Sequence, residues 1–202
     1  MPDLSIFKSP APYHIFTYGT LLGTEFFQTF VGGIISFQVL PRPQFSQLQQ
    51  KLFPVYFGLQ TALPAVLALT YPGSRTALGP VSGLRGAFAE VNRWTVLAPL
   101  ATMFVTSAVN GLYFGPETTR IMRKRKVQGN KESLNVAIAR LLMLCAAETR
   151  DGKKYYDPAP QSTEMQDLNK AFSIMHGVSS LVNLVGYVAT IWYGFTLAER
   201  IS

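Results

Sequence analysis

Few residues in this chain could do chemistry, and most of them lie inside apolar runs. Glu25 is the only charged residue between positions 15 and 40. Gln28, Gln60, Asn110, His176 and Asn183 are further polar side chains within apolar stretches. A carboxyl or amide at bilayer depth is expensive, so each is expected to face another helix or a cavity. Two chemistries fit such a set. One is interhelical hydrogen bonding that fixes packing, worth about 0.6 kcal/mol per bond on average. The other is a proton- or cation-linked cavity with Glu25 at its inner end. At a rise of 1.5 Å per residue the six form a ladder, from His176 about 6 Å deep to Glu25 about 22 Å deep. Glu25, Gln28, Gly32 and Ser36 are expected on one stripe, and His176, Ser180 and Asn183 on another. His14 falls at the opposite membrane face and is expected to share no site with His176.

Other chemistry is poorly provided for. The sequence has no HExxH, GxSxG, P-loop or GxGxxG pattern, and its two histidines are far apart. Cys145 is the single cysteine, so neither an internal disulfide nor a cysteine metal site can form. No catalytic, metal or cofactor site is therefore expected.

The elements that must carry the polar residues are long and apolar. Hydrophobic residues make up 48% of the 202 positions and charged ones 14%, against about 25% charged in ordinary soluble domains. A span needs about 20 mainly apolar residues, and four segments qualify: 14–40, 52–71, 93–116 and 171–198. The expected fold class is all-α, a polytopic membrane protein built as one domain, with four transmembrane helices and an amphipathic helix in a cytosolic loop. The first span reads as a retained signal-anchor, because its apolar run is too long for a cleaved signal peptide.

Loop charges set orientation. Thirteen of the 18 lysines and arginines lie between spans one and two or between spans three and four. Residues 40–51 and 117–170 are therefore expected in the cytosol, and both termini on the lumenal or outer side. The secretory pathway or plasma membrane is favoured over the mitochondrion. The net charge of +7 would suggest nucleic acid in a soluble protein. Here Arg42, Lys51, Arg123, Lys124, Arg125 and Lys126 flank apolar spans, so anionic lipid headgroups are the expected partner.

Pro41 and Pro43 end the first helix, since proline removes a donor and disfavours helix before it. Phe45, Leu48 and Leu52 then define the apolar face of a short interfacial helix, with Gln44, Gln47, Gln50 and Lys51 opposite. Gly129 and Asn130 are expected to break the third helix. Leu134, Ile138, Leu141, Leu142 and Cys145 form the stripe of a second interfacial helix over about 132–147. Thr163 and Gln166 fit a capping box that opens the last helix. Small residues recur at spacing four, as Gly19 and Gly23, as Ser107, Gly111 and Gly115, and as Gly186, Thr190 and Gly194. Such stripes allow close helix packing, either within a bundle or between copies of the chain in a homo-oligomer.

Three blocks resemble a known family. They are "GTEFFQTFVGG" from Gly23, "LPRPQFSQLQQKLFPVYF" from Leu40 and "FSIMHGVSSLVNL" from Phe172, with "NGLYFGPETTRIM" from Asn110 as a looser match. Together they look like the transmembrane protein 205-like family of eukaryotic multi-pass proteins, a domain of unknown function. The resemblance implies a four-helix membrane protein without assigned catalytic residues, and a role in trafficking or in drug and stress tolerance. A small transporter or channel-like oligomer using the ladder around Glu25 is the alternative.

Overall fold

The computed structural model describes residues 7–73, 82–143 and 162–201, with the backbone alone at 135–143, 200 and 201. Every regular element among the described residues is helical. The order is α1 (Ala11–Phe26), a π-helical turn (Phe27–Gly32), α2 (Gly33–Val39), α3 (Arg42–Leu69), the short α4 (Leu84–Ala87), a π-turn (Arg93–Leu97), α5 (Ala98–Val109), a third π-turn (Asn110–Phe114), α6 (Gly115–Met143) and α7 (Thr163–Ile201). Among the described residues, three helices are long and apolar enough to cross a membrane: Arg42–Leu69, Glu90–Leu134 and Thr163–Glu199. The segment expected to span at 14–40 is also helical, but the π-turn divides it.

Local chemistry explains the boundaries. Leu40 is extended (φ −90°, ψ 139°) because Pro41 follows it, and α3 starts directly afterwards with Pro43 in its first turn. The interfacial helix expected to lead into the second span is continuous with it. Residues 42–69 form one helix that carries Pro54 and Pro64 inside it. Its first turns keep the apolar side outward, as expected of an interfacial segment. Ser46 and Gln49 are buried, whereas Leu48 is 39% exposed. The expected break at Gly129 and Asn130 is absent, and α6 runs through both. Helix propensity costs about 1 kcal/mol for a glycine, which a 29-residue helix absorbs. Ser162 caps α7, accepting the Met165 N–H at 3.2 Å, one residue before the expected cap. Cys145 and the end of the 132–147 helix lie outside the described residues.

The chain divides into two compact units, residues 1–113 with 180–202, and residues 114–179. In the first, Leu21, Leu67, Tyr71, Val96, Leu100, Met103 and Tyr193 form the apolar core. Around it the usual polarity is inverted. His14, Glu25, Gln60, Asn92, Asn110 and Thr190 are buried, while Phe16, Phe27, Val55, Trp94, Leu112, Val188 and Phe195 are exposed. Water would penalise that arrangement, and hydrocarbon favours it. Hydroxyls along the helices donate to carbonyls one turn back, as Thr61 does to Phe57, Thr102 to Ala98 and Ser107 to Met103. In hydrocarbon this satisfies a donor without water.

In the second unit, Arg125 donates to Asn169 Oδ1 at 2.7 Å and its guanidinium lies 4.4 Å from the centre of the Phe172 ring. Glu117 accepts from Arg120 at 2.5 and 2.8 Å. That hydrogen bond, more than the arginine's charge, holds the Glu117 carboxyl below the usual carboxylate range.

Candidate functional site

The inward face of α1 carries His14, Leu21 and Glu25, all buried. On α3 the inward face carries Tyr56, Gln60, Pro64 and Leu67. α7 adds Gly186, Thr190 and Tyr193. Glycines let these helices meet. A Cβ at Gly186 would lie 2.6 Å from Thr106 Oγ1, and one at Gly194 would meet the Tyr18 hydroxyl. The small-residue stripe of the last span is thus used inside the unit. Gly19 and Gly23 have open space where a Cβ would point. With Leu22, Phe26, Tyr187 and Ile191 they line an apolar groove of about 400 Å³.

Between these faces lies a polar network. The Gln60 amide donates to Thr24 Oγ1 at 2.8 Å, and Thr24 in turn donates to the Thr20 carbonyl at 2.7 Å. The Tyr56 hydroxyl donates to Asn183 Oδ1 at 3.1 Å, and the Asn183 amide donates to Thr29 Oγ1 at 3.3 Å. Glu25 is 3% exposed, and the buried Thr190 hydroxyl donates to the Gly186 carbonyl at 3.1 Å. Glu25 Oε2 has no hydrogen-bond partner, and neither does Gln60 Oε1.

Three of the six expected polar residues, Glu25, Gln60 and Asn183, are thus placed among shared helix contacts. Asn110 is fully buried on the third π-turn. Gln28 is half-buried, with Oε1 3.4 Å from where a Gly32 Cβ would stand, so it folds along its own helix. The straight stripe expected from Glu25 to Ser36 is therefore interrupted by the π-turn. His176 belongs to the second unit, where its exposed ring stacks on Phe172 at 5.7 Å.

Sequence reasoning set His14 aside, yet it is fully buried. Nδ1 is 3.1 Å from Thr70 Oγ1 and Nε2 is 2.7 Å from the Tyr193 hydroxyl. Thr70 already donates to the Val66 carbonyl at 2.7 Å, so its oxygen is left to accept from Nδ1–H. In the neutral ring Nε2 then accepts from Tyr193. The available signal was spacing: His14, Tyr18, Leu21 and Glu25 follow the i, i+4, i+7, i+11 pattern of one helical face.

The basic residues divide as well. Lys51, Arg123 and Lys124 are exposed and Lys126 is half-buried. Arg42 lies over the Phe37 ring at 3.9 Å, which ties the start of α3 to α2. Arg125 is held by Asn169 and Phe172.

An all-helical chain with polar residues turned inward and apolar ones outward is an integral membrane protein. This one belongs to the family described as a domain of unknown function, DUF4149, whose model matches residues 16–127. It is 33% identical over 190 residues to xanthocillin biosynthesis cluster protein D of Aspergillus fumigatus, covering 94% of this chain and 90% of the relative. It is 23% identical over 181 residues to transmembrane protein 205 of Danio rerio, covering 86% and 84%. No solved structure matches the chain.

Proposed function

We propose that the chain is a non-enzymatic four-span membrane protein of the endomembrane system, acting in membrane organisation, trafficking or tolerance of toxic small molecules. The helical stretch 11–39 serves as the fourth span. Residues 40–51 and 116–170 face the cytosol, where exposed Lys51, Arg123 and Lys124 meet anionic headgroups. The observation that carries this reading is the inverted polarity of the first unit. The fungal relative's name places that protein in a biosynthesis cluster. A role beside a biosynthetic product, sequestering it or sorting it, is consistent with that company.

Two measurements test this reading. In sealed microsomes a carboxyl-terminal tag should be protected from protease while a tag in the 144–161 stretch is cut. Digestion of the terminal tag would overturn the orientation. Deleting the gene in its host should raise sensitivity to amphipathic toxicants and leave the chemical structures of small products in extracts unchanged. A product altered in structure would mean an enzyme. A second reading, a small oligomeric transporter or channel, is favoured by one observation, the unpartnered acceptors Glu25 Oε2 and Gln60 Oε1 in the buried network. Ion flux in proteoliposomes tests it.

A further inference from the structure

Hydrogen-bond bookkeeping gives the Glu25 region an excess of acceptors. Tyr56 spends its hydroxyl hydrogen on Asn183, and Asn183 directs its amide to Thr29. Tyr18 donates to the Thr190 carbonyl at 3.4 Å, and the Thr190 hydroxyl donates to the Gly186 carbonyl at 3.1 Å. Thr24 donates to its own helix, so its oxygen can only accept, which fixes the Gln60 amide with nitrogen toward Thr24. Gln60 Oε1 is thereby turned away from Thr24, in a residue 1% exposed. It accepts no hydrogen bond, and Glu25 Oε2 accepts none either. The backbone carbonyl of Gln60 also lacks its usual helical donor, because residue 64 is proline. Thr24 and Glu25 are consecutive, so the Gln60 amide is bonded to the same turn of α1 that bears the carboxyl.

Charge points the same way. No lysine or arginine occurs in residues 15–40, 52–71, 94–115 or 171–198. A buried carboxylate without a counter-charge is costly, and none of these segments supplies one. Oxygen acceptors without donors, on a buried carboxyl and on an amide bonded to the same helical turn, are the ligand type that hard cations take. Carbonyls freed by breaks in membrane helices are known to serve such ions.

We propose that the region around Glu25 binds one alkali-metal cation, with the Glu25 carboxylate as counter-charge and Gln60 as an oxygen ligand. This rests on the second reading of function for its purpose, though binding stands apart from transport.

The test uses the purified full-length chain in nanodiscs. Unfolding is followed by tyrosine and tryptophan fluorescence in sodium, potassium, lithium or N-methylglucamine chloride at constant ionic strength. One alkali ion should raise the unfolding temperature saturably, and N-methylglucamine should not. In Glu25→Gln the half-saturating concentration should rise about tenfold or more, and in Gln60→Met about threefold. Glu164→Gln, on an exposed carboxyl, should leave it unchanged. Equal stabilisation by all four salts overturns the proposal, as does an unshifted midpoint in Glu25→Gln. Stability that depends on pH and ignores the alkali ion also overturns it, because a proton then neutralises the carboxyl. Should Glu25→Gln fail to fold, binding of radioactive sodium to the wild-type protein, displaced by excess unlabelled salt, decides the matter. Ion-specific stabilisation without flux in proteoliposomes keeps the site and removes the transporter. Absence of ion-specific stabilisation removes the site whatever the flux.

Discussion

At the scale of single residues, His14 and Tyr193 should behave as a pair. His14→Phe leaves a buried Tyr193 hydroxyl short of its ring-nitrogen acceptor, and Tyr193→Phe leaves the ring nitrogen short of its donor. Each should lower stability by about 1–3 kcal/mol. The double variant should cost less than the sum, and thermal unfolding in detergent measures the difference. Additive losses would mean the contact carries no coupling. Legibility was uneven at this scale. Glu25 stood out because it is the one charge in its span. The pairing of Gln60 with Thr24 and of Tyr56 with Asn183 did not, since spacing along one helix carries no information about which hydroxyl lies opposite. His14 was missed for a related reason. Depth placed it at a membrane face, but its packing comes from Tyr71, at 6.4 Å between ring centres, and Tyr193, at 5.8 Å.

At the scale of elements, the glycine contacts make a sharper prediction than the glycine pattern could. Thr106 is β-branched and already bonds the Thr102 carbonyl at 2.8 Å, so it yields little to a Cβ at Gly186. Gly186→Ala should destabilise by about 1–3 kcal/mol. Adding Thr106→Ala should recover part of that loss in the same unfolding assay, and no recovery would place the strain elsewhere. Gly23→Ala, in open space, should be tolerated. The apolar runs identified the spans, but facing was harder to read. The outward stripe of Phe45, Leu48 and Leu52 was legible, but the inward positions Ser46 and Gln49 were not. In water apolar stripes point inward. In hydrocarbon both surroundings accept them, and polar positions become the better guide. The missing break at Gly129 and Asn130 is a case of helix context overriding local propensity.

At the scale of the whole molecule, the charge distribution should govern insertion. In the proposed four-span arrangement thirteen basic residues fall on one side and five on the other, a strong bias. Replacing Arg123, Lys124, Lys126 and Lys131 with Asn reduces the larger group to nine and leaves Arg125 on Asn169. A mixed orientation should appear as partial protection of the terminal tag. Unchanged protection would mean that the first helix alone decides orientation. Membrane class and family were legible from composition and scattered blocks, because the solvent of a span is written along its whole length. The acceptor excess near Glu25 was not, because it depends on hydroxyl rotors and an amide orientation set by three helices together.

The π-turn at Phe27–Gly32 acts as a phase step. One residue beyond the α repeat rotates everything after it by roughly 100° relative to what precedes it. Gly33–Val39 therefore present a different side of the rod from Ala11–Phe26. That rotation accompanies the placing of Phe37 against Phe45, at 5.4 Å, and beneath Arg42. Removing one residue there would leave a continuous helix of nearly the same length. It would also carry Phe37 off its neighbours, so the first helix can keep its span and still lose its join to the second.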